Sequence, residues 1–443
     1  MNIKKLTVRE FARAVKLGHG RAILHVLHHG DKGMEKIIEQ ALLKSYVYDW
    51  QIEGSRAGWL MCLLQATGRL AFYVRKFLNQ HSSDSYGGAD LAQQILLAGR
   101  LFEIGFSELR STVLEKYTKL LVLSPFHAGC GSEIVDMAGN SGLEFVARSI
   151  GEQVPEPDAF DCAFILERAN DLCGNSDGEE LLRRLAESEP AVQKFLDAAA
   201  SLKNSSNLPS APRPVIENFQ EILDLIDKRA HAPEAITYVA MGRRINDEVA
   251  ASCFKLLLAS DDTWVQLVCL RLLGSRKLPD VTPYVIELLE SEDKLVASAC
   301  FHALRNKKDS RIREVAVRWL QSEDQVRISR TIRLLECNFI SGDEEIFFEK
   351  LPLLKDDDLL PSAGIPTEDW LPFVSRDVGL KLLFWFYENG PDSWCRSNFF
   401  EKLVELEACP DELIYESQWD CAERTQNLAR CLLAKKEGFI SKC

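Results

Sequence analysis

Between Leu257 and Glu349 the apolar and polar positions recur with a period of 31 residues. Leu257-Leu258-Ala259-Ser260-Asp261-Asp262 returns as Leu288-Leu289-Glu290-Ser291-Glu292-Asp293 and again as Trp319-Leu320-Gln321-Ser322-Glu323-Asp324. A helical pattern opens after each string. Val265, Val268, Cys269, Leu272 and Leu273 keep the i, i+3, i+4, i+7, i+8 spacing that puts side chains on one face of a 3.6-residue turn. The same places hold Val296, Ala299, Cys300, Ala303 and Leu304 in the second copy. In the third they hold Arg327, Arg330, Thr331, Leu334 and Leu335, so its first turn is polar. A second stripe (Val281, Tyr284, Val285, Leu288, Leu289) is answered by Ile312, Val315, Ala316, Trp319 and Leu320. Each copy therefore predicts two helices and short turns. The Ser and Asp side chains between copies are expected to accept from the open amides of the next helix, and Pro279 to turn the chain ahead of the second one. A pair this short buries its apolar face only against the next pair.

Outside the repeats the pattern predicts helices at Val8 to Leu17, Ala22 to His28, Met34 to Ser45, Ala57 to Gln65, Leu70 to Leu78, Leu91 to Ile104 and Leu109 to Leu121, with a polar loop from His81 to Gly88. The glycine-rich stretch from Pro125 to Gly142 reads as irregular, with Gly129 to Gly142 a flexible loop and ligand binding there the alternative. Phe160 to Leu172 and Glu179 to Ala200 read as helical again, with interruptions near Gly174 to Gly178 and near Pro190. Ser201 to Pro214, rich in Ser, Asn and Pro, reads as a linker. Asp356 to Asp358 and the prolines at 361, 366 and 372 mark a further break. The implied division is a helical N-terminal region, either irregular or of divergent repeats (1–200), a linker (201–214), a repeat array (215–355) and an aromatic-rich helical cap (356–443).

The repeats, and above all Leu288-Leu289-Glu290-Ser291-Glu292-Asp293 with the helices around Cys300 and Val315, resemble the HEAT-like class of alpha-solenoids in its short-repeat bacterial form. The resemblance covers about 93 residues and implies an all-α, right-handed alpha-alpha superhelix that serves as scaffold, adaptor or inhibitor. Some HEAT-like proteins are di-iron hydroxylases built on repeated His-Glu pairs, and this chain contains no His-Glu dipeptide. Others are alkylpurine DNA glycosylases that grip a duplex in a basic cleft.

Composition narrows the field. Apolar residues make up 46% of the chain, yet runs such as Leu120 to Leu123 and Leu382 to Phe386 are far short of the roughly 20 residues that span a bilayer. Thirteen cysteines are scattered without a Cys-x-x-Cys, and Met1 to Glu10 carries no apolar run, so a reducing cytoplasm is the expected setting. The net charge is −13, but residues 1 to 80 hold 13 Lys and Arg against 6 Asp and Glu. That segment faces either an acidic partner or its own acidic remainder.

The candidate chemistry is sparse. His25, His28 and His29, with His19 nearby and Asp31 able to orient an imidazole, are the densest group of metal or acid–base side chains. Three histidines at a helix end are expected rather to complement its dipole or face solvent, with a metal site at His25, His28 and His29 the weaker alternative, so no catalytic residue, metal or cofactor is assigned. Neither GxGxxG nor GxxxxGK[ST] is present. Cys269 and Cys300 fall on apolar stripes and are expected as core thiols. Arg271, His302 and Arg333 occupy equivalent places in the three copies and predict a cationic ladder. Arg9, Arg13 and Arg21 belong to a second basic surface, in which Lys4, Lys5, Lys16, Arg56, Arg69, Arg75 and Lys76 alternate with aromatics. The expected function is a non-enzymatic protein or peptide binder with an acidic partner and no membrane contact; nucleic-acid binding, extending to a glycosylase-type enzyme, is the alternative.

Overall fold

The computed structural model describes residues 3–54, 56–79, 87–173, 177–205, 216, 218–229, 236–274, 278–364, 370–372 and 374–436. The described residues are helical, with short 3-10 turns and no strand. In chain order the first helices are α1 (Val8–Leu17), α2 (Arg21–His29), α3 (Glu35–Leu43), α4 (Trp50–Glu53), α5 (Ala57–Ala66), α6 (Leu70–Asn79), α7 (Gly88–Glu103), α8 (Leu109–Leu123), α9 (Gly131–Ala138), α10 (Asn140–Gln153), α11 (Ala159–Cys173), α12 (Asp177–Ala186) and α13 (Pro190–Ser205). There follow α14 (Phe219–Asp227), α15 (Ile236–Gly242), α16 (Asp247–Ala259), α17 (Thr263–Gly274), α18 (Pro283–Glu287), α19 (Lys294–Leu304), α20 (Ser310–Leu320), α21 (Gln325–Leu335), α22 (Asp343–Lys350), α23 (Leu359–Gly364) and α24 (Arg376–Asn389). The last are α25 (Ser393–Glu405), α26 (Asp411–Ser417) and α27 (Glu423–Lys436). None of these helices is long and apolar enough to cross a membrane.

The chain forms two units: residues 1–209 together with 392–443, and residues 210–391. In the second, α15, α17, α19, α21 and α23 pack in succession, and α16 and α20 pair with the following helix of that row. These repeated helix pairs form a solenoid-like arrangement. The expected caps are present in register. Asp262 Oδ1 accepts from Trp264 N and Val265 N, Asp293 Oδ1 from Leu295 N and Val296 N, and Asp324 Oδ1 from Val326 N and Arg327 N. Ser260, Ser291 and Ser322 each accept from the amide of the Asp two residues on. Replacing Asp293 with alanine is therefore expected to lower the stability of this unit by about 1 kcal/mol, read as a lower urea midpoint at unchanged slope.

Contacts between copies carry the same period. Asn338 Nδ2 donates to Lys307 O and its Oδ1 accepts from Asp309 N, both at 2.7 Å. Trp319 Nε1 donates to Glu290 at 2.7 Å, and Arg313 pairs with the buried Asp343 at 2.5 Å. A polar position of the third-copy stripe is used for packing, since Thr331 is buried and donates to Arg327 O. The second helix of the first copy starts later than its stripe implies. Thr282 caps it, Val281 lies outside it, and it closes as a 3-10 turn at Leu288–Glu290.

The first unit corrects two expectations. Residues 125–142 are helical: a 3-10 turn (Pro125–Cys130) leads into α9 and then α10. The glycines there are points of close approach. A Cβ on Gly131 would meet Tyr117 Oη at 2.6 Å, and one on Gly142 would meet Ile134 O at 2.3 Å. The segment 356–443, expected as one cap, is divided after Pro391. Its last three helices belong to the first unit, where α26 packs on α2 and α25 on α4. Cys421 N donates to Gly18 O at 2.8 Å, Trp59 Nε1 to Trp419 O at 2.8 Å, and Arg21 pairs with Glu416 at 2.7 Å. Of the expected linker, 201–205 completes α13; residues 206–214, like 81–86 of the polar loop and 174–176, lie outside the described residues.

Candidate functional site

Arg271, His302 and Arg333 sit in the last turns of α17, α19 and α21. The structure brings them together. The His302 imidazole is pushed down to about 4, first by loss of water around the ring and then by Arg305, Arg330, Arg271 and Arg333. It is therefore neutral at physiological pH even though one edge of the residue is exposed. Arg330 lies over the Phe301 ring, 5.2 Å from its centroid, and donates to Ser298 Oγ at 3.2 Å, and burial lowers its own guanidinium. Arg333 approaches Glu336 at 3.7 Å. The expected cationic ladder is thus corrected: four arginines surround an uncharged His302. Arg305 and Arg330 were missed because they stand outside the 271, 302, 333 register. The available signal was Arg330 itself, a charge where the other copies hold Val268 and Ala299.

The basic surface near the N-terminus is more committed to its own fold than its sequence suggests. Lys4 pairs with Glu10, Arg21 with Glu416, Arg56 with Glu53, Arg69 with Asp31 and Lys76 with Glu39. Arg9 and Arg13 are exposed, whereas Arg21 is half-buried. Of the interleaved aromatics, Tyr73 is fully buried and donates to Asp31, and Trp59 is buried and donates to Trp419 O.

The histidines are occupied in the same way. His25 is buried, accepts from Leu6 N through Nδ1 at 2.9 Å, and packs between the rings of Phe11 and His29. His29 Nε2 contacts Ile3 O at 2.9 Å, and His28 is exposed. Asp31 serves Arg69 and Tyr73, so it does not orient an imidazole. Among the described residues no group of three or more His, Cys, Asp or Glu could hold a metal ion. Cys269 and Cys300 are core thiols, both pushed well above their ordinary value by burial.

A cavity of about 630 Å³ in the first unit borders Gly129 and Cys130, at the start of the stretch for which the sequence offers ligand binding only as an alternative to a loop. It lies between the Pro125–Cys130 turn and the start of α11. His127 meets Trp50 edge-on at 5.6 Å and Phe126 at 5.3 Å. Its Nδ1 is 3.0 Å from Ser124 Oγ, and burial lowers its pKa, so the ring is uncharged at neutral pH. Across from it Asp158 caps α11, accepting from Phe160 N and Asp161 N. The Asp161 carboxyl is pushed up to about 6 by burial and by Asp158, against a backbone hydrogen bond from Gly129. Cys130 and Cys162 also line the space, and burial pushes both thiols up to about 12, too high for ready nucleophiles. No family model, no curated protein and no solved structure matches the chain.

Proposed function

We propose that this chain is a non-enzymatic adaptor, scaffold or inhibitor of the cytoplasm, and that its repeat array, a right-handed HEAT-like superhelix, binds an acidic segment of a protein partner. The observation that carries this reading is the cluster of Arg271, Arg305, Arg330 and Arg333 around His302. Four guanidiniums on or next to three successive helices of one row would give an acidic chain several charge-assisted contacts. A neutral His302 supplies a hydrogen-bonding group between them without adding repulsion.

Fluorescence anisotropy with a labelled oligoglutamate peptide tests the reading. Saturable binding that weakens with salt is expected. Arg271→Ala and Arg333→Ala should each weaken it by about tenfold, the loss of one charge-assisted contact. The competing reading makes a different demand: duplex or single-stranded nucleic acid would bind with a steep salt dependence, lost on neutralising Arg9, Arg13 and Arg21. That result, or peptide binding indifferent to the array arginines, would overturn the proposal.

A further inference from the structure

We propose that the cavity between the Pro125–Cys130 turn and the start of α11 is a binding site for a small organic ammonium ion, with Trp50, Phe126 and Phe160 as its aromatic wall and Glu156, Asp158 and Asp161 as its counter-charge. The site lies wholly in the first unit and is independent of the array.

Size, charge and wall chemistry converge on this ligand class. At about 630 Å³ the space falls in the range of small-molecule pockets and far exceeds what a bare metal ion fills. The described lining holds three carboxylates and no lysine or arginine, so an anion is repelled and a cation attracted. The aromatic side chains favour a diffuse cation over a hard one, because a ring face attracts an alkylammonium that sheds water easily. Phe126 and Phe160 are each 65% exposed, leaving large ring surfaces at the mouth uncovered by the protein itself. His127, uncharged at neutral pH, adds a fourth ring without opposing a positive guest. The Trp50 indole Nε1 is buried and has no hydrogen-bond partner among the described residues. A ligand oxygen, such as the hydroxyl of an amino alcohol, would satisfy such a donor.

The same charge logic explains the state of Asp161. Burial and the neighbouring Asp158 raise it together, and a cation held beside it would offset both effects. Glu156 and Asp158 face the same space, while Cys130 and Cys162 stay protonated at neutral pH and contribute no charge.

Isothermal titration of the full chain with choline tests the site, with the neutral isostere 3,3-dimethylbutanol, spermidine and a trimethyl-lysine peptide as further arms. Saturable one-to-one binding of choline or spermidine is expected, with the neutral alcohol at least about tenfold weaker, the margin expected of a charge-dependent contact. Asp161→Asn and Phe126→Leu should each weaken it by a similar factor, while Phe126→Trp retains it; circular dichroism of each variant separates loss of binding from loss of fold. The proposal is overturned if neither amine binds, if the neutral alcohol binds as tightly as choline, or if the folded variants bind like the parent. Binding of the peptide with no binding of free amines would make the guest a protein side chain, and would equally overturn the small-molecule assignment.

Discussion

Replacing Arg396 with methionine is expected to destabilise the first unit by about 3–5 kcal/mol, the cost of leaving a buried charge without its partner. Arg396 and Asp420 are both about 1% exposed, and a guanidinium nitrogen lies 3.5 Å from Asp420 Oδ1 and 3.6 Å from Cys421 Sγ. The pair sits where the last helices meet the first. Cys421 N donates to Gly18 O, and a Cβ on Gly20 would meet Glu416 O at 2.0 Å, so residues 416–421 pack closely on the turn between α1 and α2.

The pH dependence of that loss has a definite sign. Burial holds the Asp420 carboxyl above its ordinary value, and Arg396 opposes the shift. With Arg396 gone, Arg56, the Ala422 amide and the Cys421 thiol still favour the Asp420 carboxylate, but its largest counter-charge is lost, so the folded state holds the Asp420 proton to a higher pH. The deficit is therefore largest near neutrality and shrinks as pH falls. Hydrogen exchange at the Cys421 amide reports the effect locally. Adding Asp420→Asn should recover part of the loss, because the two substitutions remove the two ends of one interaction. A loss below about 1 kcal/mol, typical of an exposed pair, would contradict a buried clasp.

In the second unit, Trp370→Ala is expected to cost about 3–5 kcal/mol. The indole is fully buried, packs on Phe339 and Phe347 at centroid distances of 4.9 and 5.7 Å, and donates from Nε1 to Ile332 O at 3.1 Å. Truncation removes a large part of the core next to α21 and strands a carbonyl. Trp370→Phe should cost less, about 1–3 kcal/mol, because it retains ring packing and leaves Ile332 O without its donor. Urea unfolding followed by hydrogen exchange in α21 separates this transition from that of the first unit. Equal losses for the two variants would place the effect in the hydrogen bond rather than the packing.

The repeats were legible because one row of spacing encodes both local and non-local structure. A stripe such as Val296, Ala299, Cys300, Ala303 and Leu304 specifies a helix face, and its return after 31 residues specifies the neighbour that covers it. Asp293 announces the cap by its own chemistry. The ladder followed from the same register, and its two extra arginines did not, because three-dimensional neighbours on adjacent helices need not share a repeat position.

What escaped was whatever depends on a partner remote in sequence. Gly131 and Gly142 read as loop residues because a missing side chain looks the same whether it frees the backbone or admits Tyr117 and Ile134. Trp394 and Trp419 belong to an aromatic-rich stretch continuous with Trp370, yet Trp419 accepts from Trp59 some 360 residues away. Nothing within ten residues of Trp419 encodes that contact.

The division after Pro391 also orders events during synthesis. Residues 210–391 have all of their own unit once they emerge from the ribosome, whereas residues 1–209 lack α25–α27 until residues 393–436 have also emerged. Of the two units, the one begun first is thus the one completed second. In the interval the faces of α2 and α4 that receive α26 and α25 stay uncovered, with Arg56 and Glu53 already brought together beside them. This is the window in which a chaperone or a protease would meet the nascent protein.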